Sequence, residues 1–70
     1  MPYRSVSELP DPVRLHLPLH AQEIFRAAFN AAFDAHTSDP RREEVAMRIA
    51  WAAVKRRFHK DDGDWAANPG

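Results

Sequence analysis

Residues 17–40 read LPLHAQEIFRAAFNAAFDAHTSDP, and the spacing of the apolar positions within them sets the architecture of the chain. Ala21, Ile24, Phe25, Ala28, Phe29, Ala32 and Ala35 recur at three and four residues, while Glu23, Arg26, Asn30 and Asp34 fall on the opposite side. That period belongs to a helix with one buried face. Proline restricts its predecessor but fits a first helical turn, so Leu17-Pro18 interrupts what comes before and opens a helix that runs to about residue 36. Thr37-Ser38-Asp39-Pro40 then breaks the chain. The Asp39 carboxylate can accept free N–H groups, and a proline at the first helical position loses nothing. A further helix is predicted over about 40 to 60. Ala46, Ile49, Ala50, Ala53 and Val54 form its apolar face, widened by Met47, Trp51 and Phe58.

A short connection between two such helices favours an antiparallel hairpin, and alanines at 28, 31, 32, 46, 50 and 53 permit close approach. Two helices leave their aromatic faces partly uncovered. The cover available is the amino-terminal segment, with Tyr3, Val6, Leu9, Val13, Leu15 and Leu17. Its prolines at 2, 10, 12 and 18 forbid one long helix, and Asp11-Pro12 starts a short one over about 12 to 16. At the other end Asp61-Asp62-Gly63-Asp64 reads as a turn, beyond which Trp65 can return to the body of the domain. Residues 1–70 are thus expected to form one mainly all-α domain of three helices, with 66–70 as a flexible tail.

Seventy residues with 44% hydrophobic and 29% charged content suit a small folded domain rather than a disordered chain. A chain this short buries only about 60% of the surface it exposes when unfolded, so each large apolar residue counts. Cysteine is absent, which excludes disulfides and thiolate zinc sites as staples. No apolar run approaches the roughly 18 residues of a membrane span, so no membrane insertion is expected and a cytoplasmic location follows by default. Net charge is zero, yet residues 41–60 carry +5 while residues 1–40 carry −2 and 61–70 carry −3. Such polarity gives a directed local field without general affinity for polyanions.

Catalytic constellations are not visible: there is no nucleophile elbow, phosphate-binding glycine loop or Ser/His/Asp spacing, and Glu43 and Glu44 are adjacent rather than facing. No enzyme activity and no cofactor are expected. His16 and His20 have a ligand-like spacing, but Pro18 lies between them, so structural or solvent roles are the simpler reading for the four histidines. Asp61, Asp62 and Asp64 around Gly63 resemble a fragment of a calcium loop and are the only candidate metal residues; a charged turn explains them better, since no Glu follows position 44. Arg56, Arg57 and Lys60 offset a negative helix end, and Glu44 with Arg48 has the spacing of an ion pair. Arg41, Arg48, Lys55, Arg56 and Lys60 are the candidate partner-binding cations. Phe33, whose wheel position borders the polar stripe, is the candidate exposed aromatic contact.

Several segments fall in a recognisable order: Met1-Pro2-Tyr3, Leu9-Pro10, Leu17-Pro18, His20-Ala21-Gln22, Phe29-Asn30, Arg42-Glu43-Glu44, Ala50-Trp51, Ala53-Val54-Lys55, Phe58, and Trp65 after the acidic turn. Over nearly its whole length the chain resembles the ChaB family, described as regulators of cation transport. The resemblance implies a three-helix domain with a small two-stranded sheet, which would pair the segment around Tyr3 with that around Trp65 and so join the termini. It also implies a regulatory protein linked to a membrane cation/proton antiporter, while viral members suggest nucleic-acid binding. Some members carry a longer, highly charged loop between the main helices, reduced here to residues 37–40. The leading expectation is a non-enzymatic interaction domain with a protein partner; the alternative is a nucleic-acid-binding module using the basic third helix.

Overall fold

A computed structural model describes residues 3–69; Met1, Pro2 and Gly70, which belong to the matched amino-terminal segment and the expected tail, lie outside the described residues. A 3-10 turn at Val6–Glu8 leads into helix α1 (Asp11–His16), helix α2 (Leu19–Ala35) and helix α3 (Arg42–Arg57). Two short strands follow, β1 (Phe58–Asp61) and β2 (Asp64–Ala67), paired antiparallel as one sheet.

The α2–α3 pair forms the body of the fold, and its closeness rests on small side chains. Ala21, Ala46 and Ala50 are fully buried, which lets the backbones approach and places Phe25, Phe29 and Val54 in the seam. Phe25 and Phe29 lie parallel with centroids 6.3 Å apart, and Phe33 continues the series 5.6 Å further on. Leu9, Val13 and Leu17 close the core from the amino-terminal side, as the sequence predicts. Leu15, expected in that cover, points to solvent, as does Ile49 of the predicted α3 face.

The corner between α1 and α2 explains the chemistry of its residues. Pro18 has no N–H and α1 ends there, so carbonyls lose their helical donors. Gln22 supplies them, its Nε2 donating to Leu17 O at 2.8 Å and Arg14 O at 3.1 Å. The α2–α3 corner is closed by Arg42, which donates from Nε to the Phe33 carbonyl and lays its guanidinium 3.6 Å above the Phe33 ring. A cation at the start of α3 opposes that helix's dipole, but this one sits against the negative end of α2.

The small sheet is present, but its partners differ from those the resemblance implies. Tyr3 makes no strand with Trp65. Its backbone N–H donates to Asn30 Oδ1 at 2.9 Å and its carbonyl accepts from Asn30 Nδ2 at 2.8 Å, so one amide side chain on α2 takes both groups a strand partner would use. β2 pairs instead with β1, in the register Phe58↔Ala67, His59↔Ala66, Lys60↔Trp65 and Asp61↔Asp64. Asp62 and Gly63 occupy the two loop positions with φ of 55° and 88°, the left-handed conformation of a tight hairpin that Asp-Gly favours. This hairpin also shortens α3, because Phe58 turns extended (φ −133°, ψ 155°) where the apolar period alone extends the helix to about 60. Ala66 and Ala67, expected in the tail, lie in β2. Asn68 donates its backbone N–H to Arg57 O at 2.8 Å and its side-chain N–H to Arg56 O at 3.1 Å, closing the carboxyl end of α3.

Candidate functional site

Helix α3 and the hairpin together build one distinctive surface. In the hairpin register Lys60 and Trp65 are cross-strand partners and therefore share a face of the ribbon. Phe58 lies on that same face by alternation and is buried, which fixes the face against the helical body. Trp65 thereby meets Trp51 of α3, with centroids 5.7 Å apart and planes inclined by 30°. Trp51 in turn sets its ring at 75° to that of Phe25, 5.2 Å away. Both tryptophans remain half-buried. They floor an open concavity of about 640 Å³ whose rim carries Lys55, Lys60 and His59. One turn back along α3, Met47 extends the apolar floor between Glu43, Glu44 and Arg48.

The candidate cations divide between two faces. Arg48 and Lys55 are spaced by seven, which places them on one line along α3, Arg41 stands at its N-cap seven residues before Arg48, and all three are exposed. Lys60 joins them from β1 across the tryptophans. Arg56 does not: with Arg57 and His20 it lines separate concavities elsewhere on the surface. Glu44 reaches back to Arg41 at 4.0 Å rather than forward to Arg48. Among the described residues the other ion pair is Arg14 with Asp11 at 2.8 Å, so Arg48, Lys55, Arg56 and Lys60 carry no acidic partner there.

Phe33 requires a correction. Expected as an exposed contact, it is buried, with Phe29 on one side and the Arg42 guanidinium over its ring. A helical wheel of α2 cannot show that Arg42, nine residues on, folds back across the edge of the stripe. Asp61, Asp62 and Asp64 sit exposed around the hairpin turn; among the described residues no group of three or more His, Cys, Asp or Glu side chains is placed to hold a metal ion. His59 Nδ1 lies 2.8 Å from Asn68 Oδ1, and the His20 ring meets the edge of Phe58 at 6.0 Å. At Tyr3, burial raises the hydroxyl above the ordinary 10.0, and the Glu43 carboxylate raises it further. Among the described residues no helix is long and apolar enough to cross a membrane.

The place of Trp65 on this surface is only half legible in the sequence. Its return to the domain is legible from the turn before it, but its pairing with Lys60 requires the hairpin register.

The family model ChaB matches residues 9–68. A protein of Escherichia coli K12 named "Putative cation transport regulator ChaB" is 46% identical over 70 aligned positions, covering 91% of this chain and 92% of the relative. An uncharacterized 10.9 kDa protein of the Lymantria dispar multicapsid nuclear polyhedrosis virus is 34% identical over 65 positions, covering 93% of this chain and 63% of the viral protein. The NMR solution structure of a protein with the same name as the bacterial relative superposes with a TM-score of 0.84 at 44% identity, over 97% of this chain and all of that one.

Proposed function

The chain belongs to the ChaB family, and from that premise we propose that it is a non-enzymatic regulatory domain that acts on cation transport through a protein contact, in the cytoplasm, with a membrane cation/proton antiporter as its target. The observation that carries this reading is the Trp51–Trp65 floor with Lys55 and Lys60 at its rim. An apolar centre with charged edges is the composition of a protein-recognition surface. Arg41 and Arg48 extend the cationic edge along α3.

The test is sodium or potassium efflux from cells in which the gene is deleted and then restored as the parent or as the Lys55→Glu/Lys60→Glu variant. Restoration by the parent and failure of the variant, at equal protein levels, is the expected result. Equal efflux in deleted and restored cells would overturn the reading.

The line of Arg41, Arg48 and Lys55 favours a second reading, a nucleic-acid contact. Phosphate contacts release counterions, so that reading requires affinity for single-stranded DNA to fall steeply with salt, by a log–log slope of about −0.7 per phosphate engaged.

A further inference from the structure

We propose that the concavity floored by Trp51 and Trp65 is a docking site for a short acidic protein segment bearing apolar side chains, about five residues long. This rests on the reading of α3 and the hairpin as the partner-binding face, and it names the chemistry of what binds there.

Three observations point to that occupant. The first is complementarity. Lys55 and Lys60 stand on the rim without an acidic partner among the described residues, while the floor between them is aromatic. A segment that alternates carboxylates with apolar side chains satisfies both at once. Its apolar groups lie on the indoles and its carboxylates reach the two ammonium groups.

The second is extent. Glu43 and Glu44 end the strip on α3, and the Asp61–Asp64 turn ends it on the hairpin. The α3 part of the strip, from Glu44 to Lys55, is eleven residues of helix, about 16 Å of axis, which an extended chain of about five residues spans. A longer polyanion would run over like charge at both ends, at a cost in affinity.

The third is the state of the rings. Single-strand binders offer open indole faces to bases. Here Trp51 is engaged by Phe25 at 5.2 Å and by Trp65 at 5.7 Å, so the two indoles present a composite apolar floor rather than a slot for a base. Intercalation between them would separate a stack that helps hold the hairpin to α3. A peptide side chain needs only the outer surface.

The experiment titrates the full chain with three probes: a five-residue blocked peptide alternating aspartate with leucine, the same peptide with lysine for aspartate, and a decamer of thymidine. Intrinsic tryptophan emission reports affinity and ¹⁵N-resolved spectra report location. The acidic peptide should shift the Trp51, Lys55, Lys60 and Trp65 signals and bind at least about tenfold tighter than its lysine counterpart. Lys55→Glu/Lys60→Glu should weaken it by about tenfold or more with the fold retained by circular dichroism, because both side chains are exposed. Arg56→Glu, on another part of the surface, should leave it unaltered. Equal affinity for the two peptides, shifts centred elsewhere, or tighter binding of the thymidine decamer would each overturn the proposal. The failures are separable. Loss of peptide binding with intact dependence of cation efflux on this chain removes the peptide site and leaves the regulatory role. Peptide binding as described, in a chain whose deletion leaves efflux unchanged, does the reverse.

Discussion

At the scale of single residues, burial ranks the aromatic side chains by what they hold together. Phe25 is completely buried and touches Phe29 and Trp51, whereas Trp51 is half-exposed although both lie in the same seam. A domain of 70 residues has a total stability of about 4 to 10 kcal/mol. Phe25→Ala should remove about 3 to 5 kcal/mol of it and leave a chain largely unfolded at 37 °C. Trp51→Ala removes a ring that water already reaches on one side, and should cost about 2 kcal/mol with the fold retained. Urea unfolding of both variants checks the order, and equal midpoints would contradict it. Gln22 and Asn30 rank high for a different reason. Each is a side-chain amide that satisfies backbone groups without a helix or strand partner, so each pins the amino-terminal segment to α2.

At the scale of elements, α2 and α3 were legible because their apolar residues repeat at helical spacing over many turns, and the Asp-Pro break between them is a local signal. The hairpin was legible only as a turn. Phe58, His59 and Lys60 continue the α3 pattern of apolar and basic residues, and nothing local says that the backbone leaves the helix at Phe58 rather than after Lys60. What decides it is a long-range gain: Asn68 takes the last α3 carbonyls and Trp65 finds Trp51. The same limit applies to the site. Lys55 and Lys60 were identifiable as exposed cations, but their convergence on two indoles depends on a register no wheel contains, and the burial of Phe33 depends on Arg42 from the next helix. The turn itself gives a clean test. Gly63 has a φ of 88° and nothing within 4 Å of where a Cβ would sit, so Gly63→Ala introduces backbone strain and no clash. Its expected cost is about 1 kcal/mol, a loss of about 4 to 8 °C in melting temperature. If the ¹⁵N-resolved indole signal of Trp65 is lost at the same midpoint as helical circular dichroism in both proteins, the hairpin unfolds with the helices. A separate, earlier Trp65 transition in the variant would make the hairpin an independent unit.

At the scale of the whole molecule, stability depends on whether the amino-terminal segment stays docked over the helical pair, because that segment supplies Leu9 and Val13 to the core and sets the Tyr3 ring 4.9 Å from Phe29. Its attachment is sensitive to one proton. Burial, then the Glu43 carboxylate, raises the Tyr3 hydroxyl above its ordinary value of 10.0, so folding favours the neutral phenol. Well below pH 10 the phenol is neutral in both folded and unfolded chains, and the docked state keeps its full stability. As pH rises through 10 toward the raised value, the unfolded chain ionises first, and the folded state loses ground progressively. The informative quantity is a difference between two variants, which cancels every titration they share. Tyr3→Phe keeps the ring on Phe29 and both backbone bonds to Asn30, since those use the Tyr3 main chain, but it removes the ionisable group. Urea midpoints measured between pH 9 and 11 should therefore fall more steeply for the parent than for Tyr3→Phe. Parallel curves would mean that the phenol is as free to ionise in the folded protein as in the unfolded one, and that the amino-terminal cover is held by Asn30, Leu9 and Val13 without a contribution from the partly buried hydroxyl.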